Sequence, residues 1–468
     1  MSVREFDVVV IGGGAVGENA ADYAGRAGLS AAIVESELLG GECSYWACMP
    51  SKALLRTGHA VAALRRLPGT TAECDPKAVL ARRDTITHGW DDSGQVGWAE
   101  GAGITLLRGL ARITGERTVV VDGPEPVTLT ARHAVVVCTG SRPIVPPVPG
   151  LDTVRIWSSR DATSTKEVPG RLGVLGGGVV GSELAQAFRR LGAQVVLLQR
   201  GPRLLAGAEP FAGERVAAAL RAEGVDVRPD TGLDAASADG DAIALRVGAE
   251  TLTVDELLVA TGRRPNSDTI GLEAVGLEPG STLVVDDSGL VEGVAGGWLY
   301  AAGDVTGRAP LTHQGKYAAR IVGSVIAARA AGRAADTAPW GEHSATADHL
   351  AVPQVVFTDP EVAWVGRTAA VARAAGIDVR VVDLPIAVGG SSVHADGYDG
   401  AARLVIDGSR DVLVGATFVG QDVAEMLHAA TVAVAGEVPL HRLWHAVPAY
   451  PTISEVWLRL LEACRAPA

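Results

Sequence analysis

Apolar runs of about five residues, each ending at a cluster of glycines, recur along the chain. The first, Asp7-Val-Val-Val-Ile11, leads into Gly12-Gly13-Gly14-Ala15-Val16-Gly17. An alanine-rich, helix-like stretch follows to Ala27. Gly28-Leu29-Ser30 interrupts it, and Ala31-Ala32-Ile33-Val34-Glu35 forms the next apolar run. The pattern predicts strand, glycine turn, helix, strand. Gly12, Gly14 and Gly17 fit G-x-G-x-x-G, and Glu35 lies 18 residues past the last glycine. That layout sets a pyrophosphate on a helix N-terminus and a carboxylate on a ribose hydroxyl, so a dinucleotide is expected here.

The pattern occurs twice. Arg171-Leu-Gly-Val-Leu175 runs into Gly176-Gly177-Gly178-Val179-Val180-Gly181, then a helical stretch through Glu183, then a strand over 193–198. The ends of the two copies also match. Ala134-Val-Val-Val-Cys-Thr-Gly-Ser-Arg-Pro143 mirrors Glu256-Leu-Leu-Val-Ala-Thr-Gly-Arg-Arg-Pro265. Two nucleotide-binding modules are therefore expected in one chain, one of them nested in the other. Residues 111–130 and 241–254 alternate and turn like short β-meanders. Trp298-Leu-Tyr-Ala-Ala-Gly-Asp304 reads as a further strand. Residues 331–348, polar and alanine-rich, are expected to be a linker. The last ~120 residues alternate strand and helix patterns and are expected to form a separate α+β domain.

Composition narrows the class. The 468 residues are enough for two to four domains. With 47% hydrophobic and 20% charged residues, the chain is a globular one with a sizeable core rather than a disordered one. The net charge of −13, with no Lys/Arg block longer than two, disfavours nucleic acid and anionic membrane surfaces as partners. No apolar run reaches the ~18 residues of a membrane span. The N-terminus reads directly into a strand, without the apolar stretch of a signal peptide, so a cytoplasmic location is expected. The five cysteines, at 43, 48, 74, 138 and 464, are not a secreted disulfide framework.

Two of them carry the chemistry. The segment 40–52 is Gly-Gly-Glu-Cys43-Ser-Tyr-Trp-Ala-Cys48-Met-Pro-Ser-Lys52. A helix is expected from Cys48, with Pro50 tolerated in its first turn. Cysteines five apart on a regular helix are more than ~7 Å apart, too far to bridge. The helix start must be irregular if they bond. A helix N-terminus also favours a reactive thiolate. A zinc site lacks a second Cys/His pair at ligand spacing.

The Gly-Gly-x-Cys-x4-Cys-x-Pro-Ser-Lys segment, the two glycine loops, Ala302-Gly303-Asp304 and Pro451-Thr452-Ile453-Ser454-Glu455 occur in this order. The combination resembles the class I pyridine nucleotide-disulfide oxidoreductases, which include dihydrolipoamide dehydrogenase, glutathione reductase and mercuric reductase, and the resemblance covers essentially the whole chain. It implies an α/β fold with two Rossmann-like nucleotide domains and a C-terminal α+β dimerisation domain. Residues 1–150 and 271–345 would bind FAD, 151–270 NAD(P)H, and 346–468 would dimerise. FAD would be held by Gly12, Gly14, Gly17, Glu35, Gly41, Lys52, Ala111, Thr139, Gly140 and Asp304. The nicotinamide cofactor would be held by Gly176, Gly178, Gly181, Gln199, Arg200 and Gly262. Cys48 would be the flavin-proximal thiol and Cys43 the interchange thiol, with Lys52 paired to Glu183 beside the flavin. Tyr450 and Glu455 would complete the site of the other protomer in a homodimer. Electrons would pass from NADPH through FAD to the Cys43–Cys48 disulfide and on to a small-molecule disulfide.

NADPH rather than NADH is expected, because an acid usually ends the second strand of an NAD-binding loop. Here that position is Gln199, with Arg200 and Arg203 near to clamp a 2′-phosphate. NAD stays possible, since the two arginines would also serve as solvated charges. The chain also departs from the resemblance. The family's acid–base His is Tyr450 here; an unperturbed tyrosine, with pKa near ~10, is a hydrogen-bond donor but a poor base near neutral pH, and His445 lies five residues earlier. Mercuric reductases share this Tyr but end in a vicinal cysteine pair, where this chain has Cys464 alone. Tyr45-Trp46-Ala47 replaces the usual Asn-x-Gly between the redox cysteines. A mercuric-reductase-like metal-ion reductase and a quinone- or oxygen-reducing flavoprotein are the alternatives.

Overall fold

The computed structural model describes residues 2–465, which form two compact units. One comprises the chain up to Pro50 together with Asp84–Pro143 and Arg263–Asp348; the other comprises Ser51–Arg83, Ile144–Gly262 and His349 onward.

The first unit is built on a seven-stranded sheet. Strand β1 (Ser2–Ile11) leads through a glycine turn to helix α1 (Ala15–Arg26) and strand β2 (Ala31–Glu35). β1 pairs in parallel with β2 on one side and with Val127–Val137 on the other. Thr105–Arg108 extends the sheet beyond β2, and Leu299–Ala301 pairs in parallel with Val127–Val137. The predicted meander is present as Leu110–Gly115 and Thr118–Asp122, antiparallel to each other and to the start of Val127–Val137. The continuous apolar runs have a simple cause. Val8, Val10, Ile33 and Val136 pack on one face of the sheet with Ala20, Ala24 and Val322 of helices α1 and Thr312–Ala330. Val9, Ile11, Val34 and Val135 pack on the other face with Ile113, Val119 and Leu129 of the meander. Both faces are buried, so alternation is not needed.

The second unit repeats the design. Asp226–Arg228, Gln194–Leu198, Arg171–Leu175 and Glu256–Val259 form a parallel sheet, beside the three-stranded meander Ala235–Asp239, Ala242–Val247 and Glu250–Val254. The C-terminal residues of this unit form a five-stranded antiparallel sheet in the order Pro353–Val356, Glu361–Gly366, Val412–Gly420, Ala401–Asp407, Val379–Pro385, with helices that include Leu427–Ala435 and Val456–Arg465. One core takes in Val174 and Leu197 of the parallel sheet, Leu184 and Phe188 of the helix Val179–Arg190, Leu54 and Leu55, and Val362 and Trp364 of the C-terminal sheet. No helix among the described residues is long and apolar enough to cross a membrane.

The stretch 331–348 is not a bare linker. His343, Ser344 and Thr346 are buried. The Asp336 amide donates to His343 Nδ1 and the Trp340 amide to Thr346 Oγ1, while the Ala345 amide donates to the Asp287 carbonyl. Its polar residues cap its own backbone, which composition does not reveal.

Candidate active site

In the first unit the glycine turn folds tightly back on the sheet. Gly12 has φ +99°, and a Cβ there would lie 2.5 Å from the Cys138 carbonyl oxygen; a Cβ at Gly17 would lie 1.9 Å from the Gly12 oxygen. Gly14 caps α1 without a side-chain partner for the first amides. Glu35 is buried at the end of β2, and its carboxylate accepts from the Gly13 amide at 2.6 Å and the Glu37 amide at 2.7 Å. Gly40 and Gly41 run across the turn. The Gly40 amide donates to the Gly13 carbonyl, and a Cβ at Gly41, whose φ is +59°, would lie 2.8 Å from Gly14 Cα.

Thr139 and Gly140 follow the strand Val127–Val137. The Thr139 hydroxyl is buried with no hydrogen-bond partner among the described residues. Ser141 Oγ donates to Asp304 at 2.6 Å and accepts from Arg263 Nε at 2.8 Å. The uncapped helix end, the orphaned hydroxyl and the side-chain-free approach at Gly14 fit a dinucleotide such as FAD. The Ala111 side chain is packed in the core of the sheet, so contact from this position to a cofactor comes from its backbone.

The cysteines lie at a break in the helix. Helix α2 (Gly41–Tyr45) carries Cys43, Trp46 and Ala47 interrupt it, and helix α3 (Cys48–Arg65) opens on Cys48. This is the irregular start that the five-residue spacing demands. The division between the two units falls inside α3, after Pro50. Both cysteines are half-buried, and their side chains are in hydrogen-bonding contact. Cys48 Sγ lies 3.3 Å from Thr312 Oγ1. Cys43 is held well above the usual thiol range, first by its hydrogen bond to Cys48 and then by burial, with Thr312 and Lys316 acting the other way. In a pair that shares one proton, the sulfur that keeps it leaves the other free to ionise. Burial also pushes Glu18, in the first turn of α1, up to about 7, against the charge of Lys316. Sequence reading missed Thr312, Lys316 and Glu18. The first two lie more than 250 residues from the cysteines, and nothing in local spacing could have found them.

In the second unit the second glycine turn reproduces the first. A Cβ at Gly176 would lie 2.5 Å from the Ala260 oxygen and one at Gly181 would lie 1.9 Å from the Gly176 oxygen, while Gly178 faces open space. The helix Val179–Arg190 starts at Gly178 without a side-chain cap. Gln199 Oε1 accepts from the Gly177 amide at 2.8 Å, the counterpart of the Glu35 bond to Gly13. Arg200 is exposed. Arg203 donates to the Ala206 carbonyl, and its Nε is buried without a partner among the described residues. Gly262, at φ +130°, accepts from the Ile144 amide at 3.0 Å. This cradle fits a second nucleotide.

Lys52 and Glu183, 131 residues apart, form an ion pair at 2.7 Å. Glu183 is 2% exposed, and its second oxygen accepts from the Phe357 amide at 2.9 Å. The Lys52 ammonium stands 4.9 Å from the centroid of the Phe357 ring. Tyr450 is 77% exposed, and its ring lies against Gly389. Glu455 is buried. One of its oxygens has no hydrogen-bond partner among the described residues, and Arg459 approaches the other at 3.5 Å. His445 is exposed. Among the described residues no group of three or more His, Cys, Asp or Glu is placed to hold a metal ion.

Two family models match the chain: pyridine nucleotide-disulphide oxidoreductase over residues 6–332 and the dimerisation domain of the same family over residues 352–460. The chain is 33% identical to dihydrolipoyl dehydrogenase of Thermus scotoductus, covering 98% of each. It is 34% identical to mercuric reductase of Acidithiobacillus ferrooxidans, over 97% of this chain and 81% of that one. Among solved structures it is similar to RclA of Escherichia coli, an HOCl-induced flavoprotein disulfide reductase solved as a Cu(II) complex, with TM-score 0.84, 26% identity and coverage of 99% and 100%. Two glycine cradles, a thiol pair at a helix start and the dimerisation module are therefore the parts of one known architecture, and the chain belongs to the pyridine nucleotide-disulphide oxidoreductases.

Proposed function

We propose that this oxidoreductase is an FAD-dependent disulfide reductase that takes electrons from NADPH and delivers them through Cys43 and Cys48 to a small-molecule disulfide. The observation that carries the reading is the thiol pair. Two sulfurs in hydrogen-bonding contact sit at a break between α2 and α3, beside a glycine cradle that fits a dinucleotide. FAD, when bound, passes two electrons from the nicotinamide to the cysteines.

The residues of the chain divide the remaining work. Gly12, Gly14, Gly17, Glu35, Gly41, the Ala111 backbone, Thr139, Gly140 and Asp304 hold the flavin nucleotide. Gly176, Gly178, Gly181, Gln199, Arg200 and Gly262 hold NADPH. Lys52, held in place by Glu183, is the fixed cation for negative charge on the flavin. Cys48 is the flavin-proximal thiolate and Cys43 the sulfur that attacks substrate; Cys43, held protonated at rest by its bond to Cys48 and by burial, must give up that proton as it attacks, because the thiolate is the nucleophile. Substrate disulfide exchange then breaks the S–S bond of the substrate, and one thiol leaves with a proton. Tyr450, from the partner subunit of a homodimer, donates a hydrogen bond to the departing sulfur, with Glu455 beside it in the same site. Exposed Val393, Val432, Val447 and Tyr450 in the matched dimerisation module support such an interface.

In domain terms, 1–150 and 271–345 serve FAD, 151–270 NADPH and 346–468 dimerisation. NADPH is favoured because Gln199 brings no carboxylate against a 2′-phosphate, with NADH the weaker donor. Five cysteines that make no secreted disulfide framework suit a reducing cytoplasm.

Anaerobic reductive titration tests the reading. Uptake of four electrons, with a long-wavelength thiolate-to-flavin band after two, is expected; uptake of two electrons without the band refutes it and leaves a quinone- or oxygen-reducing flavoprotein. A second reading, a soft metal ion as substrate, is supported by the two adjacent thiols, by the mercuric reductase relatives and by the Cu(II) complex of the Escherichia coli protein. NADPH-driven reduction of Hg(II) or Cu(II) faster than that of any disulfide would establish it.

A further inference from the structure

The residues between the redox cysteines are held from outside by a backbone in an unusual conformation. His88, Gly89 and Trp90 have φ values of +50°, +62° and +62°. Three left-handed residues in succession are unfavourable for L-amino acids, most of all for a bulky aromatic, and persist only where the surroundings hold them. Here they aim the indole of Trp90 at the redox turn. Trp90 Nε1 donates to the Tyr45 carbonyl at 3.1 Å. Tyr45, 1% exposed, donates its hydroxyl to Gln95 Oε1 at 2.9 Å, and the same hydroxyl lies 3.4 Å from the Asp91 carbonyl oxygen. Tyr45 also packs edge-on against Trp46, ring centroids 5.7 Å apart. One residue upstream of Gly40, the Leu39 amide donates to Asp92 at 2.7 Å. Residues 88–95 thus grip residues 39–46 at several points, at the place where the spacer departs from Asn-x-Gly.

We infer that Trp90 and Gln95 are positioning residues that clamp Tyr45 and so set the stability of the Cys43–Cys48 disulfide. The inference rests on the redox role proposed for that pair. Tyr45 lies two residues from Cys43 and three from Cys48, so fixing both its carbonyl and its hydroxyl limits how far the reduced sulfurs drift apart. Each thiol then meets the other at a high effective concentration, which favours the disulfide. A loosened turn makes the disulfide easier to reduce.

The test is equilibration of purified holoenzyme with dithiothreitol redox buffers. One S–S bond between Cys43 and Cys48 breaks, both sulfurs gain a proton, and dithiothreitol closes to its cyclic disulfide. Acid quenching, alkylation and mass spectrometry of the 39–52 peptide give the equilibrium constant independently of turnover. Trp90→Phe, which keeps a ring but removes the donor, and Gln95→Leu should each shift the equilibrium about tenfold toward the dithiol, or ~30 mV less negative for two electrons. Gln95→Glu, which keeps the acceptor, should match wild type. In every variant the FAD content and the rate of flavin reduction by NADPH should be unchanged. Equilibria within twofold of wild type in both Trp90→Phe and Gln95→Leu, or a shift toward the disulfide, overturn the clamp. If Trp90→Phe does not fold, the Gln95→Leu and Gln95→Glu pair decides. A wild-type pair that never exchanges with dithiothreitol overturns the redox role itself, a separate outcome.

Discussion

Lys52 and Glu183 lie 2.7 Å apart with the carboxylate almost wholly buried and its other oxygen bonded to the Phe357 amide. Removing the lysine leaves that charge in the interior. Lys52→Met should therefore cost about 2–3 kcal/mol, below the ~3–5 kcal/mol of a fully buried pair because Lys52 is partly exposed. Glu183→Gln should cost less, since an amide oxygen still accepts from Phe357. Denaturant midpoints at pH 7 check the order; a Lys52→Met protein as stable as wild type contradicts it.

The cysteine roles make opposite spectral predictions. Cys43→Ser leaves Cys48 unable to form a disulfide and should show a permanent thiolate-to-flavin band in the oxidised protein. Cys48→Ser should never show it. Both variants should retain FAD and accept electrons from NADPH. An ordinary flavin spectrum in Cys43→Ser above the thiol pKa would reverse the assignment.

Gln199 has two duties, to accept from Gly177 and to leave room for a phosphate. A glutamate keeps the first and removes the second, as Glu35 shows in the first cradle. Gln199→Glu with Arg200→Ala should thus fold normally and move the NADPH/NADH preference about tenfold to a hundredfold toward NADH, the equivalent of one charge-assisted bond of ~1.5–3 kcal/mol. Steady-state kcat/KM with both cofactors measures this, and a wild-type enzyme that already prefers NADH refutes it.

Much of this was legible in the sequence because the constraints were local. The glycine turns could be read from strand and helix spacing, and the break between α2 and α3 from the reach of a disulfide. Contacts made by distant residues were not. Thr312 and Lys316 act on the thiols from another part of the chain, the left-handed run at 88–90 has no composition signal beyond Gly89, and 331–348 looked like a linker because its backbone partners are its own polar side chains.

Two half-buried groups in the second unit should oppose each other in pH dependence. Burial, followed by the charge of Arg190, lowers His59 to about 4, and its Nε2 has no hydrogen-bond partner among the described residues. Burial raises Glu361 to about 7, with Asp422 and Asp359 adding to the rise and the Ala424 amide opposing it. The His59 contribution to stability is present above the unfolded His pKa of ~6.5 and is lost as pH falls through 4. The Glu361 contribution is present below the unfolded Glu pKa of ~4.3 and is lost as pH rises through 7. Each is worth up to ~3 kcal/mol at ~1.36 kcal/mol per pKa unit. Glu361→Gln should therefore make the protein lose more stability on acidification between pH 7 and 4, and His59→Phe should make it lose less. Melting temperatures across that range test the signs, and parallel profiles for both variants contradict them.

The pairing of Ser141–Pro143 with Arg263–Pro265 has a topological consequence. Pro143 and Arg263 face each other across an antiparallel ribbon, so the segment 144–262 occupies the place of a hairpin loop. A few turn residues there would close the same ribbon in the same register. In sequence, the second nucleotide cradle is inserted between the two strands of one ribbon, and its core is completed by Leu54, Leu55, Val362 and Trp364 from elsewhere in the chain. A loop tip is where insertions are tolerated best, and all seven strands of the first sheet lie outside 144–262.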